Sequence, residues 1–163
     1  MSSRALILLG SNLGDRLSNI QLAADLIGRR VGTVVASASL YETAAQGIDD
    51  APAFINTAVA VDTELAPSEL LQTLLQIERD MGRIRTTQVT SRPIDLDIGF
   101  YGNEVVNTSE LIIPHPRLHL RRFALAPLVE IAPDFVHPSD GRSLKELLES
   151  CPDQSEVTIL SRP

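Results

Sequence analysis

Arg4–Leu9 is a continuous apolar run closed by Gly10, the pattern of a buried central strand. Between Asp15 and Arg30, Leu17, Ile20, Ala23, Ala24 and Ile27 recur at helical spacing, so Gly10-Ser-Asn-Leu-Gly14 reads as a strand-to-helix turn. Thr33–Thr43 alternates, with Val34, Ala36, Ala38 and Leu40 facing one way and Val35, Ser37, Ser39 and Tyr41 the other, which predicts one strand. Residues 44–52 read as a loop around Gly47. Phe54–Thr63 alternates again, setting Phe54, Asn56, Ala58 and Ala60 opposite Ile55, Thr57, Val59 and Val61.

Pro67 suits the first turn of a second helix, whose stripe is Leu70, Leu74, Ile77 and Met81. Gly82–Pro93 is polar and irregular. Ile94–Tyr101 predicts a fourth long strand, followed by a turn into a short one at Val105–Val106. Arg122–Ile131 reads as a helix despite Pro127. Ser143-Leu-Lys-Glu146 is a capping box opening a last short helix. Residues 152–163 read as an edge strand or a loose tail. The order β-α-β-β-α-β predicts an α+β, ferredoxin-like sandwich: a mostly antiparallel sheet with two helices on one face, plus extra C-terminal helices. Residues 1–163 are read as one domain, a length that accommodates a real core.

Composition narrows the function. No apolar run approaches the length of a membrane span, and the apolar stretch after Met-Ser-Ser-Arg is too short for a signal peptide, so the expected compartment is the cytoplasm. With a single cysteine, Cys151, neither an intrachain disulfide nor a cysteine-based zinc site is possible, and the three histidines lack zinc-site spacing. The net charge of −7 argues against a general nucleic-acid binder. Yet residues 83–122 hold six arginines against four acids, a net +2, while the remainder carries −9. A basic stretch in an acidic chain suits a compact anion such as a nucleotide, or is simply a solvated arginine-rich face.

The sharpest feature is Arg92-Pro-Ile-Asp95-Leu-Asp97-Ile. Residues i and i+2 of a strand point the same way, roughly 6.5–7 Å apart. Asp95 and Asp97 therefore stand side by side, with Ile94, Leu96 and Ile98 turned to the core. Two like charges so placed repel one another unless a cation sits between them, and Mg²⁺ takes hard oxygen ligands together with substrate phosphates; a solvent-exposed strand face is the plain alternative. Arg83, Arg85, Arg92, Arg121 and Arg122 surround the pair in sequence, and guanidinium forks suit a triphosphate. Taken singly, each is better explained as a surface residue. Phe54 and Asn56 share a strand face and can stack on a flat heterocycle and hydrogen-bond its edge, with Phe123 available as a second ring; core packing is the plain alternative. His115, between Pro114 and Pro116, sits in a rigid loop within reach of a phosphate. Gly10–Gly14 fits no phosphate-loop pattern.

In order and spacing, Gly10-Ser-Asn-Leu-Gly14, Tyr41-Glu-Thr43, Phe54-Ile-Asn56, Ile77-Glu78 with Gly82-Arg-Ile-Arg85, Arg92-Pro-Ile-Asp-Leu-Asp97, and Pro114-His-Pro-Arg-Leu-His119 with Arg121-Arg-Phe123 resemble the 6-hydroxymethyl-7,8-dihydropterin pyrophosphokinase family over nearly the whole chain. The resemblance implies a ferredoxin-like enzyme of folate biosynthesis. Such an enzyme transfers pyrophosphate from ATP to the pterin hydroxymethyl group, releases AMP and uses two Mg²⁺ ions. It implies that Asp95 and Asp97 hold both metals and that Arg83 and Arg92 steady the migrating phosphates. Arg85, His115, Arg121 and Glu78 then fall at nucleotide positions, and Thr43, Phe54, Asn56 and Phe123 in the pterin pocket. The expected partners are these two small substrates, with no nucleic acid or membrane, and the expected state is a monomer. The chain departs from the family at Gln88–Arg92, a shorter stretch without the usual tryptophan, and at Thr43-Ala-Ala-Gln-Gly47, which lacks the usual prolines. A non-catalytic pterin- or nucleotide-binding module is the rival that the altered loop at Gln88–Arg92 suggests.

Overall fold

The computed structural model describes residues 2–43, 53–82 and 93–161. In chain order the elements are β1 (Ser3–Ser11), α1 (Arg16–Arg30), β2 (Gly32–Ser37), β3 (Leu40–Thr43), β4 (Phe54–Thr63), α2 (Pro67–Asp80), β5 (Asp95–Tyr101), β6 (Val106–Asn107), β7 (Ile112–Ile113), α3 (Arg122–Ile131), α4 (Leu144–Glu149) and β8 (Thr158–Ser161). A single 3₁₀ turn, Leu118–Leu120, leads into α3. The main sheet runs β5-β1-β4-β3-β8, with β2 also on β4, and every pairing in it is antiparallel. This is the ferredoxin-like order anticipated from the pattern.

α1 starts where Asp15 caps it, the carboxylate accepting the Ser18 N–H at 3.1 Å. Gly14, at φ +66°, supplies the left-handed residue that the preceding turn needs. α1 and α2 pack on one sheet face, burying Ile20, Ala23, Ile27, Leu70, Leu74 and Ile77 against Ala5, Ile7, Leu9, Val59 and Ile98. The opposite face is covered as well. There α3 and α4 bury Leu125, Leu128, Leu144 and Leu147 against Leu6, Ala58, Ala60 and Phe100. The sheet is thus a middle layer, which accounts for the unbroken apolar run of β1.

Thr33–Thr43, expected as one strand, is two. Ser37 pairs with Val59 and Tyr41 with Asn56, so four steps on one strand face three on the other and one residue is extra. The Thr57 hydroxyl reaches the Ala38 and Ser39 carbonyl oxygens at 3.1 and 3.0 Å, fixing the interruption. The extra residue flips the alternation. Tyr41 joins Ala38 on the α3 face, although the two were expected on opposite faces. The short strand expected at Val105–Val106 lies one residue later and pairs with β7 as a small second sheet. Part of the expected tail is β8, on the edge beside β3. The Ser143–Glu146 capping box forms as read, with bonds of 3.1 and 3.0 Å.

Candidate active site

The strands converge on one end of the α3 face. Gly10, near the end of β1, pairs with Asn56 of β4 on one side and with Asp95 of β5 on the other. Asp97 pairs with Leu8, two residues back along β1, so both aspartates share the face of Leu8 and Gly10. Leu96, between them, is turned to the α1–α2 core, as are Ile94 and Ile98. Period-two alternation thus sets the two carboxylates side by side with apolar neighbours beneath.

These residues border a cleft of about 340 Å³. Asp95, Asp97, His115 and Arg121 line it from β5 and the segment entering α3, and Thr43, Phe54, Asn56 and Phe123 line it from β3, β4 and the first turn of α3. Eight of the twelve residues that the resemblance assigns to the site therefore meet in one place. Arg83, Arg85 and Arg92 lie outside the described residues. Glu78 sits apart from the cleft walls. It is buried on α2, 3% exposed, and its carboxylate accepts the Leu96 N–H at 2.9 Å, behind the aspartate pair.

On the aromatic side, Asn56 Nδ2 donates to Thr43 Oγ1 at 3.0 Å, which orients the carboxamide and leaves the Thr43 hydroxyl proton for another acceptor. Gly10 makes room for that amide: a Cβ there would lie 2.9 Å from Asn56 Oδ1. Arg121 lies 5.8 Å from the centre of the Phe123 ring, in cation–π range. On the acidic side, His115 is tied to β5 by its N–H on the Gly99 carbonyl at 3.1 Å. Burial pushes the His115 imidazolium pKa down, Asp97 opposes that shift, and Arg121 and Arg117 add to it. His115 Nδ1 accepts the Arg117 N–H at 3.2 Å, so the neutral ring carries its proton on Nε2. The cleft thus combines a flat slot with a polar edge, two neighbouring carboxylates, and an arginine and a histidine donor.

Sequence reading missed the part of Gly10, because nothing local announces that a partner strand will aim an amide at it. It also missed the contributions of Leu118 and Ala124 to the cleft wall.

A profile of the 7,8-dihydro-6-hydroxymethylpterin-pyrophosphokinase (HPPK) family matches residues 6–133. The chain belongs to that family. It is 41% identical over 153 residues to the 2-amino-4-hydroxy-6-hydroxymethyldihydropteridine pyrophosphokinase of Pseudomonas aeruginosa, covering 93% of this chain and 94% of that one. It is 40% identical over 154 residues to the folic acid synthesis protein fol1 of Pneumocystis carinii, covering 94% of this chain but only 21% of that longer protein. Among solved structures, one described as HPPK-DHPS in complex with substrates superposes with a TM-score of 0.75 at 17% identity. It covers 92% of this chain and 43% of that chain, a likeness of fold. Pyrophosphoryl transfer to hydroxymethyldihydropterin, in folate biosynthesis, is the activity of this HPPK domain.

Proposed function

We propose that the cleft carries out this transfer with Asp95 and Asp97 holding two Mg²⁺ ions beside the ATP triphosphate, and with Thr43, Phe54, Asn56 and Phe123 holding the pterin. One observation carries the reading. Asn56 and Asp95 flank the same residue, Gly10, from opposite sides. Two strand spacings separate them, about 10 Å. No side chain stands on Gly10, so the span between the pterin slot and the carboxylates is open.

The donor set fits the metal. Two carboxylates on one strand face, Asp97 exposed to the cleft, offer hard oxygens to a cation that keeps waters and accepts phosphate oxygens. Bound there, the ions would neutralise phosphate charge and hold the triphosphate bent. The remaining work belongs to the chain. Phe54 and Phe123 stack on the two faces of the ring system, while Asn56 Oδ1 accepts from its edge and the Thr43 hydroxyl donates to it. His115 Nε2–H and the Arg121 guanidinium donate to phosphate oxygens. Arg83, Arg85 and Arg92 take the phosphate positions that their motif implies. Glu78 acts through Leu96, fixing the backbone between the two carboxylates. The pterin hydroxyl oxygen attacks the β-phosphorus, the bond from that phosphorus to the bridging α-phosphate oxygen breaks, AMP leaves, and the hydroxyl proton passes to solvent. Positioning and charge stabilisation carry the step.

The reading includes a single domain over residues 1–163, supported by the pairing of β8 with β3, working as a monomer in the cytoplasm. No helix among the described residues is long and apolar enough to cross a membrane. The test is AMP formation from ATP, Mg²⁺ and 6-hydroxymethyl-7,8-dihydropterin, with Asp97→Ala as comparison. Turnover by the wild type and its loss in a folded Asp97→Ala support the assignment. A near wild-type rate in Asp97→Ala overturns the metal site. Ligand binding by the wild type without AMP release favours the non-catalytic module.

A further inference from the structure

Three polar side chains around the β1–α1 turn reach backbone far from them in sequence. Ser11 is 1% exposed, and its hydroxyl donates to the Pro93 carbonyl oxygen at 2.6 Å. Asn19 Nδ2, one turn into α1, lies 3.2 Å from the same oxygen, 2.9 Å from the Leu13 carbonyl and 3.3 Å from Ser11 Oγ. Pro93 stands two residues before Asp95. Its carbonyl therefore fixes where the chain enters β5, and so where the first carboxylate stands.

Arg16, the first residue of α1, points the other way. Its Nη1 donates to Glu42 Oε2 at 3.0 Å and to the Ala53 carbonyl at 2.7 Å. Glu42 and Ala53 immediately precede Thr43 and Phe54, which face each other across β3 and β4. One guanidinium nitrogen thus bridges β3 and β4 at the end where Thr43 and Phe54 stand, on the strand pair that carries three of the four pterin-slot residues. The Gly10–Gly14 turn itself contacts no phosphate in the functional reading above, yet both halves of the site are tied to it.

We propose that Ser11, Asn19 and Arg16 are positioning residues that set the two halves of the site separately: Ser11 and Asn19 the nucleotide and metal half through Pro93, Arg16 the pterin half through Glu42 and Ala53. The inference rests on the functional reading above. Sites of this kind need their groups held within about 0.5 Å, and a hydrogen bond from a charged donor is strong enough to do so.

Calorimetry with two probes tests it: a non-hydrolysable ATP analogue with Mg²⁺, and 6-hydroxymethyl-7,8-dihydropterin titrated into analogue-saturated protein. Arg16→Met is expected to weaken pterin binding roughly tenfold and leave analogue binding within about twofold, the loss of one charged hydrogen-bond donor. Arg16→Lys is expected to recover part of that loss. Glu42→Gln, on a side chain 36% exposed, is expected to weaken pterin binding in the same direction, and the double variant Arg16→Met/Glu42→Gln to lose no more than Arg16→Met alone. Ser11→Ala and Asn19→Leu are expected to show the opposite selectivity, weakening the analogue and sparing the pterin. Parallel loss of both affinities with falling melting temperature, or no loss in either, overturns the inference while leaving the functional reading intact. A wild type that binds neither probe overturns the reading and the inference together.

Discussion

Gly10→Ala is the smallest change that separates the fold of this domain from its chemistry. The new methyl would sit 2.9 Å from Asn56 Oδ1, about 0.5 Å short of an ordinary contact. Gly10 is extended strand, so alanine meets no backbone strain there, and the unfolded chain loses freedom worth about 0.4–1 kcal/mol in favour of folding. The clash falls on the tip of a side chain, which can swing away. In doing so it gives up the 3.0 Å bond from Asn56 Nδ2 to Thr43, a loss of about 1 kcal/mol. The two effects nearly cancel, so the melting temperature is expected to move by no more than a few degrees. Pterin recognition has no such compensation. A carboxamide turned from the slot forfeits its hydrogen bond to the ring edge and leaves the Thr43 hydroxyl misdirected, together about 1–3 kcal/mol, or roughly 5- to 150-fold in pterin affinity. Calorimetry against the pterin beside a thermal melt reads both quantities. Unchanged pterin affinity in a protein of unchanged stability would refute the argument that Gly10 exists to seat Asn56.

Phe123→Ala is expected to weaken pterin binding more than ATP-analogue binding; equal losses by calorimetry would remove that ring from the slot. Leu125→Ala, at a fully buried position on the underside of α3, is expected to cost about 2–5 kcal/mol in urea unfolding. Burial holds the His137 pKa below its usual value, against Asp140, with His119 and Arg142 adding to the depression. The ring packs edge-on to Phe100 at 5.4 Å, and its Nδ1 accepts the Ser139 and Asp140 N–H groups. The unfolded chain therefore binds the extra proton first, and stability is expected to fall as pH drops below about 6.5. His137→Asn should flatten that part of the profile of unfolding free energy against pH.

What could be read from the sequence was whatever repeats with the backbone. Asp95 and Asp97 announce themselves because alternation in a strand forces a shared face, and Phe54 and Asn56 do so for the same reason. α1 and α2 are legible from their apolar stripes, and Arg122 and Ile131 are the expected bounds of α3. The break between β2 and β3 was not legible, since its cause lies across the sheet in Thr57 and in Glu130, whose carboxylate takes the Ser39 N–H at 2.9 Å and the Ser39 hydroxyl at 2.8 Å. The second covered face was not anticipated: helices were expected on one face only, and α3 and α4 pack on the other. Glu78 illustrates the remaining gap. The resemblance set it at a nucleotide position, while its attachment to the Leu96 N–H depends on α2 crossing beneath β5.

The attachments of Ser11, Asn19 and Arg16 have an evolutionary side. Pro93 and Ala53 are gripped by their main-chain oxygens, an atom that every amino acid carries. Substitutions between 83 and 92, or between 44 and 52, leave those handholds in place whatever side chains come and go. The side chains of both segments can therefore vary while the moorings at their borders, the Pro93 and Ala53 carbonyl oxygens, stay available.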